Sequence, residues 1–296
     1  MYNKAEKSFQ AIIHIIMIII SLSCVLPFIL LIISSFASEK SIIQYGYSFF
    51  PRQFSLNAYR YLGLQANMLL RAYGITVFIT VFGTAASLII STMLAYPMSR
   101  KQMPLRRVIS FFVFFTLLFN GGLVPTYLIY TSVFHIKNTI WSLIVPGLLT
   151  NGFYVLIMRT YFTNNIPEAI IESASIDGAG EFRIFYKIIL PLSLPILATI
   201  GLFEAVGYWN DWFNGLIYLT NYKLFSIQNV LNRMLTDIQF LSSNNEVASQ
   251  SSVIANMPTT TVKMAIAVVG AIPILIAYPF FQKYFVKGIS IGAVKG

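Results

Sequence analysis

Long apolar runs alternate with short polar segments along nearly the whole chain. Six of these runs are long enough to cross about 30 Å of hydrocarbon, because a helix rises about 1.5 Å per residue. Their approximate bounds are residues 11–34, 73–96, 108–130, 140–161, 192–219 and 261–281. The pattern predicts an all-α membrane protein with six transmembrane helices in a single domain over residues 1–296.

Composition supports a membrane protein. Hydrophobic residues make up 57% of the chain and charged residues only 10%, against about 25% charged residues in ordinary soluble domains. The net charge of +10 comes from Lys and Arg residues at the ends of apolar runs, where anionic lipid headgroups favour them. The charge therefore indicates contact with membrane lipids and not with nucleic acid.

Basic residues in the loops predict the orientation of the spans. Six spans place both termini on one side of the membrane, and the side that retains more Lys and Arg is the cytoplasm. The tight turn between the second and third spans carries four of them, Arg100, Lys101, Arg106 and Arg107. We therefore predict cytoplasmic termini, a flexible cytoplasmic tail over residues 283–296, and a cytoplasmic loop over residues 163–191. The polar segment from Thr220 to about Thr260 is predicted to be an irregular outer loop.

Two spans contain informative small or helix-breaking residues. In the second span Gly83, Ser87, Ser91 and Ala95 recur every four residues, a stripe that lets helices pack closely. In the third, Asn120-Gly121-Gly122-Leu123-Val124-Pro125 interrupts the apolar run and predicts a bend, which is tolerated where backbone faces protein or water.

The 163–191 loop has the most distinctive polar pattern. It holds four of the ten acidic residues, namely Glu168, Glu172, Asp177 and Glu181. Gly178 and Gly180 predict a sharp turn between two helices, the second of which runs from Glu181 to Leu190 and stops at Pro191. Such a loop suits contact with a soluble partner; an amphipathic hairpin lying on the membrane surface is the alternative.

The spacing in this loop resembles the cytoplasmic coupling motif of permease subunits in ATP-binding-cassette (ABC) importers. That motif reads Glu-Ala-Ala, three residues, Gly, nine residues, Ile, one residue, Leu-Pro. Here it is Glu172-Ser173-Ala174, then Gly178, Ile188 and Leu190-Pro191, with Ser173 in place of Ala as the one departure. The run Ala174–Leu197 and the C-terminal stretch Tyr284–Gly296 are similar to the carbohydrate-uptake branch, closest to the permeases for complex oligosaccharides and polysaccharides.

The resemblance implies a maltose-type inner-membrane permease of the type I importer fold in the cell membrane of a bacterium. It also implies a second, homologous permease subunit, two ATPase subunits or domains that bind ATP and Mg, an extracytoplasmic solute-binding protein, and a carbohydrate substrate. The residues it assigns to ATPase coupling are Glu172, Ser173, Ala174, Asp177, Gly178, Ile188, Leu190 and Pro191.

A second candidate site lies in the fifth span. A lone ionised carboxylate facing lipid at the depth of Glu204 would cost about 3 kcal/mol, so we expect it to face the bundle interior, a partner helix or water. Glu204, Tyr208 and Asp211 share one helical face at i, i+4 and i+7, with Trp209, Asn210 and Trp212 beside it. Indole faces stack on sugar rings, so this stretch is a candidate solute path; interfacial anchoring of the tryptophans is the alternative.

The sequence contains no catalytic motif of its own. There is no Gly-Lys-Ser or Gly-Lys-Thr phosphate-binding loop, and no Gly-x-Ser-x-Gly elbow. His14 and His135 are isolated and Cys24 is the single cysteine, so neither a cofactor nor a metal site is predicted. Two hypotheses remain: a transport permease driven by partner ATPases, and a membrane scaffold or enzyme subunit that docks through the acidic loop. The coupling motif favours the permease.

Overall fold

The computed structural model describes the backbone of residues 4–243 and 259–293, and the side chains of residues 9–240 and 259–279. The α-helices, in chain order, are α1 Lys4–Ser35, α2 Glu39–Tyr45, α3 Asn57–Leu64, α4 Ala66–Ser99, α5 Arg106–Leu118, α6 Leu123–Leu128, α7 Gly152–Asn165, α8 Glu168–Ile176, α9 Glu181–Ile184, α10 Leu190–Leu192, α11 Leu194–Asn210, α12 Phe213–Tyr218, α13 Ile227–Ser243 and α14 Thr259–Ala293. Ile129–Val133 and Phe185–Ile189 are π-helical, and Ile140–Leu143 and Tyr222–Leu224 are 3₁₀ turns.

Three helices in the described part of the chain are long and apolar enough to cross a membrane: Phe9–Ser35, Ala66–Ser99 and Thr259–Pro279. Two bent pairs also pass by length and composition, Arg106–Leu118 with Leu123–Val133 and Glu181–Leu192 with Leu194–Asn210. The all-α membrane architecture is thus confirmed. The described helices account for up to five spans, and the six-span topology stays a prediction.

The bend predicted in the third span is present. Helices α5 and α6 meet at 119°, and Gly122 adopts a left-handed φ of 82°. The Asn120 side chain accepts a hydrogen bond of 2.9 Å from the Gly122 N–H. A polar side chain and a glycine therefore end one helix and begin the next without leaving this N–H unpaired.

The predicted continuous helix over 140–161 is wrong. A 3₁₀ turn, Ile140–Leu143, is followed by irregular backbone, and α7 begins only at Gly152. Pro146 and Gly147, with φ 73°, do not continue a helix. The Asn151 side chain then caps α7 by accepting from the Phe153 N–H.

Three further boundaries differ from the prediction. Helix α11 ends at Asn210 and a separate helix follows from Phe213, so 192–219 is not one helix. Within the expected outer loop, Ile227–Ser243 is helical, and residues 244–258 lie outside the described part. Helix α14 runs on to Ala293, so the tail predicted to be flexible has a helical backbone as far as it is described; residues 294–296 lie outside that part.

The chain divides into two compact units, Met1–Asn67 with Leu231–Pro273 and Met68–Val230 with Ile274–Gly296. In the first unit, the Glu39 carboxylate caps the start of α14. It accepts hydrogen bonds of 2.8 Å from the N–H groups of both Thr260 and Thr261. The Ser35 and Tyr59 hydroxyls also lie 2.7 Å apart. These contacts join segments that are distant in sequence.

The core of the second unit gathers residues from α4, α5, α7, α8 and α11. Its buried members are Ala95, Tyr96, Met98, Val113, Val155, Met158, Phe162, Ile166, Ile171, Ile184, Ile189 and Ile200. Four of them, Ile166, Ile171, Ile184 and Ile189, belong to the 163–191 loop. The loop is therefore anchored on the helices by its apolar side chains.

Candidate functional site: the acidic loop and the α4–α11 packing surface

The turn of the 163–191 loop has a well-defined helix-capping geometry. Helix α8 ends at Ile176, and Gly178 adopts φ 78°. The Ala179 N–H donates to the Ala174 carbonyl at 2.9 Å, and the Gly178 N–H donates to the Ser175 carbonyl at 3.1 Å. This pair of bonds is a Schellman cap, which requires a left-handed residue at the position of Gly178. The turn predicted from glycine is thereby confirmed.

The second half of the loop differs from the prediction. The helix that begins at Glu181 does not stop at Pro191 but continues through the π-helical segment to Leu192. It then bends by 78° into α11 at Ser193. Proline and π-helical turns are two common causes of such bends. The bend therefore falls at Ser193, two residues after the predicted stop at Pro191.

The loop presents a mixed apolar and acidic surface to its surroundings. Ile176 is 86% exposed, Phe182 80% and Tyr186 63%. The carboxylates of Glu168, Glu172 and Asp177 are exposed on the same loop, as are Ser173 and Pro191, whereas Ala174, Ile188 and Leu190 are partly buried. Large apolar groups left exposed beside acidic groups mark a surface that contacts a protein partner or the membrane.

Sequence reasoning missed one polar contact at this loop. The Tyr96 hydroxyl, near the end of α4, donates a hydrogen bond to the Glu181 carboxylate, 85 positions away in sequence. The Tyr96 and Phe185 ring centroids are 5.1 Å apart. Nothing in the local pattern of either segment identifies this pair, because neither residue is unusual for its own helix.

The fifth-span residues separate into two groups. Glu204, Tyr208 and Trp209 are 4%, 0% and 8% exposed, which confirms that the Glu204 carboxylate faces the protein interior. Asn210 and Trp212 are exposed and Asp211 is partly buried. Helix α11 ends at Asn210, and Asp211 is its C-cap residue with φ −71°. The stripe of Glu204, Tyr208 and Asp211 stays a prediction.

Tyr208 stabilises the irregular segment that replaces the first half of the predicted 140–161 helix. Its hydroxyl donates to the Ile144 carbonyl at 2.9 Å, and the Asn214 amide donates to the Pro146 carbonyl at 3.0 Å. Non-helical backbone at membrane depth is tolerated where it is buried in protein and its polar groups are paired. In this conformation, Tyr208 is occupied by a backbone contact.

Glu204 lies opposite the small-residue stripe of α4. Ser87 is beside its carboxyl group, but the two groups do not meet in hydrogen-bonding geometry, and Glu204 Oε1 has no hydrogen-bond partner. Gly83, Ser87, Ser91 and Ala95 are all buried, so the predicted close packing of this stripe is confirmed. It is packing of α4 within the chain's own second unit.

The described residues contain no group of three or more His, Cys, Asp or Glu side chains that could hold a metal ion. In the first unit, a cavity of about 280 Å³ is lined by Ser34, Tyr45 and Arg52 among others. The Arg52 guanidinium lies 4.1 Å from the centroid of the Tyr45 ring.

A helical membrane protein with broken spans and an exposed loop between two of them has the features of a transport permease. The chain belongs to the family of binding-protein-dependent transport system inner membrane components, whose profile matches residues 87–291. It is thus a membrane-embedded transporter subunit and not an enzyme. Membership implies, in general terms, a partner permease, an ATPase and a binding protein.

Relatives match over nearly the full length. The chain is 39% identical over 292 residues to the polygalacturonan/rhamnogalacturonan transport system permease protein YtcP of Bacillus subtilis (strain 168), covering 98% of this chain and 99% of that protein. It is 40% identical over 272 residues to Protein LplC of the same organism, covering 92% and 90%. A solved bacterial ABC transporter involved in the import of the acidic polysaccharide alginate matches with a TM-score of 0.79 and 31% identity, covering 96% and 99%.

Proposed function

We propose that this chain is the permease subunit of an ABC importer that takes up a complex, acidic oligosaccharide by alternating access. The family membership supports the transport role. The named polygalacturonan/rhamnogalacturonan and alginate systems among its relatives support a polysaccharide-derived substrate. Galacturonate and alginate units carry carboxylates, which is why we propose an acidic glycan.

The single observation that carries the mechanism is the construction of the 163–191 loop. Ile171, Ile184 and Ile189 anchor it on the helices, while Ile176 and Phe182 remain 86% and 80% exposed. We propose that this exposed surface docks an ATPase subunit. The residues that would then form or support that contact are Glu172, Ser173, Ala174, Asp177, Gly178, Ile188, Leu190 and Pro191. ATP and Mg would be bound by the ATPase and not by this chain.

Aspartate substitutions test the docking surface. Phe182→Asp should abolish ATPase association, because an apolar contact becomes a buried charge. The measurement is co-purification of the ATPases with the two permease subunits and the binding protein. Tyr222→Asp is the matched control, since Tyr222 is a 62% exposed aromatic residue in a different loop. Normal ATPase association in the Phe182 variant would refute the docking surface.

Substrate choice is tested by import into proteoliposomes that contain the complete complex and its binding protein. Oligogalacturonides and alginate oligosaccharides are compared with neutral maltooligosaccharides of equal length. We expect ATPase stimulation and import with at least one acidic series. Stimulation by the neutral series alone would overturn the acidic assignment while leaving the permease assignment intact.

We also propose that both termini and the 163–191 loop are cytoplasmic. In a Cys24→Ser background, Ile176→Cys should react with a membrane-impermeant thiol reagent only from the cytoplasmic side, and Tyr222→Cys only from the outer side. Labelling of both from one side would contradict this orientation.

Helix α1 suits lipid contact, because none of the 18 residues in its most apolar stretch is buried within the chain.

A further inference from the structure

We propose that the Tyr96–Glu181 hydrogen bond is a positioning contact that transmits movement of the 163–191 loop directly to α4. This inference rests on the proposed docking of an ATPase at that loop. The chain itself joins the loop to α7 and α11 at its two ends, and the buried cluster packs apolar loop residues against α4. The hydrogen bond adds a directional polar link between the loop and α4, which is distant in sequence.

Tyr96 is held firmly at its ring end. It is 5% exposed and belongs to the buried cluster that includes Met98 and Ile189. Its ring packs on Phe185, the residue that begins the π-helical segment. Because packing limits the ring to one orientation, the hydroxyl is directed at the first residue of α9, where it reaches the Glu181 carboxylate.

Glu181 is distinct among the acidic residues of the loop. Of its four carboxylates, Glu181 alone has a hydrogen bond from another side chain in the part of the chain that the structure describes. Hydrogen bonds to an ionised acceptor are roughly twice as strong as neutral ones. Glu181 is therefore engaged with α4, although it is exposed like Glu168, Glu172 and Asp177.

Helix α4 is well placed to pass on the movement. Thirteen positions before Tyr96, Gly83 lies against Tyr208 of α11, and Ser87 lies beside Glu204. A force applied at Tyr96 thus reaches the surface on which α4 and α11 pack. The loop helix and α11 meet at a bend of 78°, so they do not share one straight axis, and the tyrosine supplies a more direct link than the backbone.

The test uses the complete reconstituted complex and measures glycan imported per ATP hydrolysed. Tyr96→Phe keeps the ring packing and removes only the hydroxyl. We expect a loss of about two- to tenfold in import per ATP, the range for losing one typical hydrogen bond, with ATPase association unchanged. Glu181→Ala should show the same loss, and Glu181→Gln, which keeps an acceptor, should recover most of it.

A double-mutant cycle separates transmission from general structural damage. The Tyr96→Phe/Glu181→Ala variant should be no worse than either single variant, because both remove one shared interaction. Tyr130→Phe is the control for loss of a tyrosine hydroxyl elsewhere in the chain, since Tyr130 is a partly buried tyrosine that packs on Tyr218 and Phe134. Parental import per ATP in the Tyr96 variant, or additive losses in the double variant, would overturn the inference. If the parental complex imports no glycan at all, the proposed function itself fails.

Discussion

The ring of Tyr208 lies directly on the backbone of Gly83, with no side chain between the two helices. A Cβ at position 83 would lie 2.6 Å from Cε1 of Tyr208 and 2.7 Å from Cε2, closer than carbon atoms approach in folded proteins. Since Tyr208 also donates to the Ile144 carbonyl, its ring cannot move away without breaking that bond. The missing side chain of one glycine thus positions α4, α11 and the 144–151 segment together.

Gly83→Ala should therefore destabilise the protein. Overpacking of a tight core contact costs about 1–3 kcal/mol, which should appear as a lower unfolding temperature of the purified complex in detergent. Gly74 lies on the same helix with no atom within 4 Å of an added Cβ, so Gly74→Ala should leave the unfolding temperature unchanged or slightly higher, because alanine is the better helix former. Equal stability of the two variants would show that the ring of Tyr208 yields freely.

Gly178→Leu should preserve the helical fold but uncouple the complex. A non-glycine residue at φ 78° is strained by about 1–3 kcal/mol, and a branched side chain at the exposed turn would obstruct a docking partner. We expect assembly with the ATPase and solute-stimulated hydrolysis to fall together. Gly180→Ala is the backbone control, because Gly180 has an ordinary φ of −69° and open space around it; normal coupling in Gly178→Leu would refute the prediction.

Glu39 should contribute stability that depends on pH. Burial acts to raise the pKa of Glu39, but the hydrogen bonds from Thr261 and Thr260 outweigh it and lower the pKa below the ordinary value of 4.5. A carboxylate with a lowered pKa in the folded state stabilises the fold fully above its unfolded pKa, and that stability is lost as the pH falls through the folded pKa.

Glu39→Gln should therefore cost about 1 kcal/mol at neutral pH, the usual effect of losing a helix cap. The difference in unfolding temperature from the parental protein should shrink as the pH falls below 4.5. Glu172→Gln removes an exposed carboxylate and serves as the stability control. A difference that does not change between pH 7 and acid would show that the charge of Glu39 is not responsible.

Glu204 remains the best candidate in the proposed solute path. A buried carboxylate oxygen without a hydrogen bond is costly, and alternating access would let water or sugar hydroxyls reach it in another conformation. Glu204→Gln should assemble normally but lower import at limiting glycan. Trp209→Ala should do likewise without affecting ATPase association.

Asn210, Asp211 and Trp212 stay in the proposed path as its outer, more exposed part, whereas Tyr208 is committed to Ile144. If both the Glu204 and the Trp209 variants import glycan at the parental rate, this stretch does not line the path.

Features that depend on local backbone chemistry were predictable from the sequence. The break at Asn120-Gly121-Gly122, the turn at Gly178 and the buried stripe on α4 follow from residues within a few positions of each other. The apolar runs that form most of α1, α4 and α14 are also visible in the sequence. A membrane helix satisfies its own backbone polar groups, so a long run of apolar side chains is enough to predict it.

Tertiary structure decided the features that depend on partners far along the chain. The 144–151 segment is irregular because Tyr208 and Asn214, 64 and 68 positions away, pair with its carbonyl groups; a local pattern of apolar residues predicts a helix there. Helix α11 ends at Asn210, whereas the apolar run over 192–219 predicts one continuous helix. The Tyr96–Glu181 contact joins two helices whose sequences contain no sign of each other. Hydrophobic periodicity determines which residues leave water, but only the packed fold determines which polar groups meet.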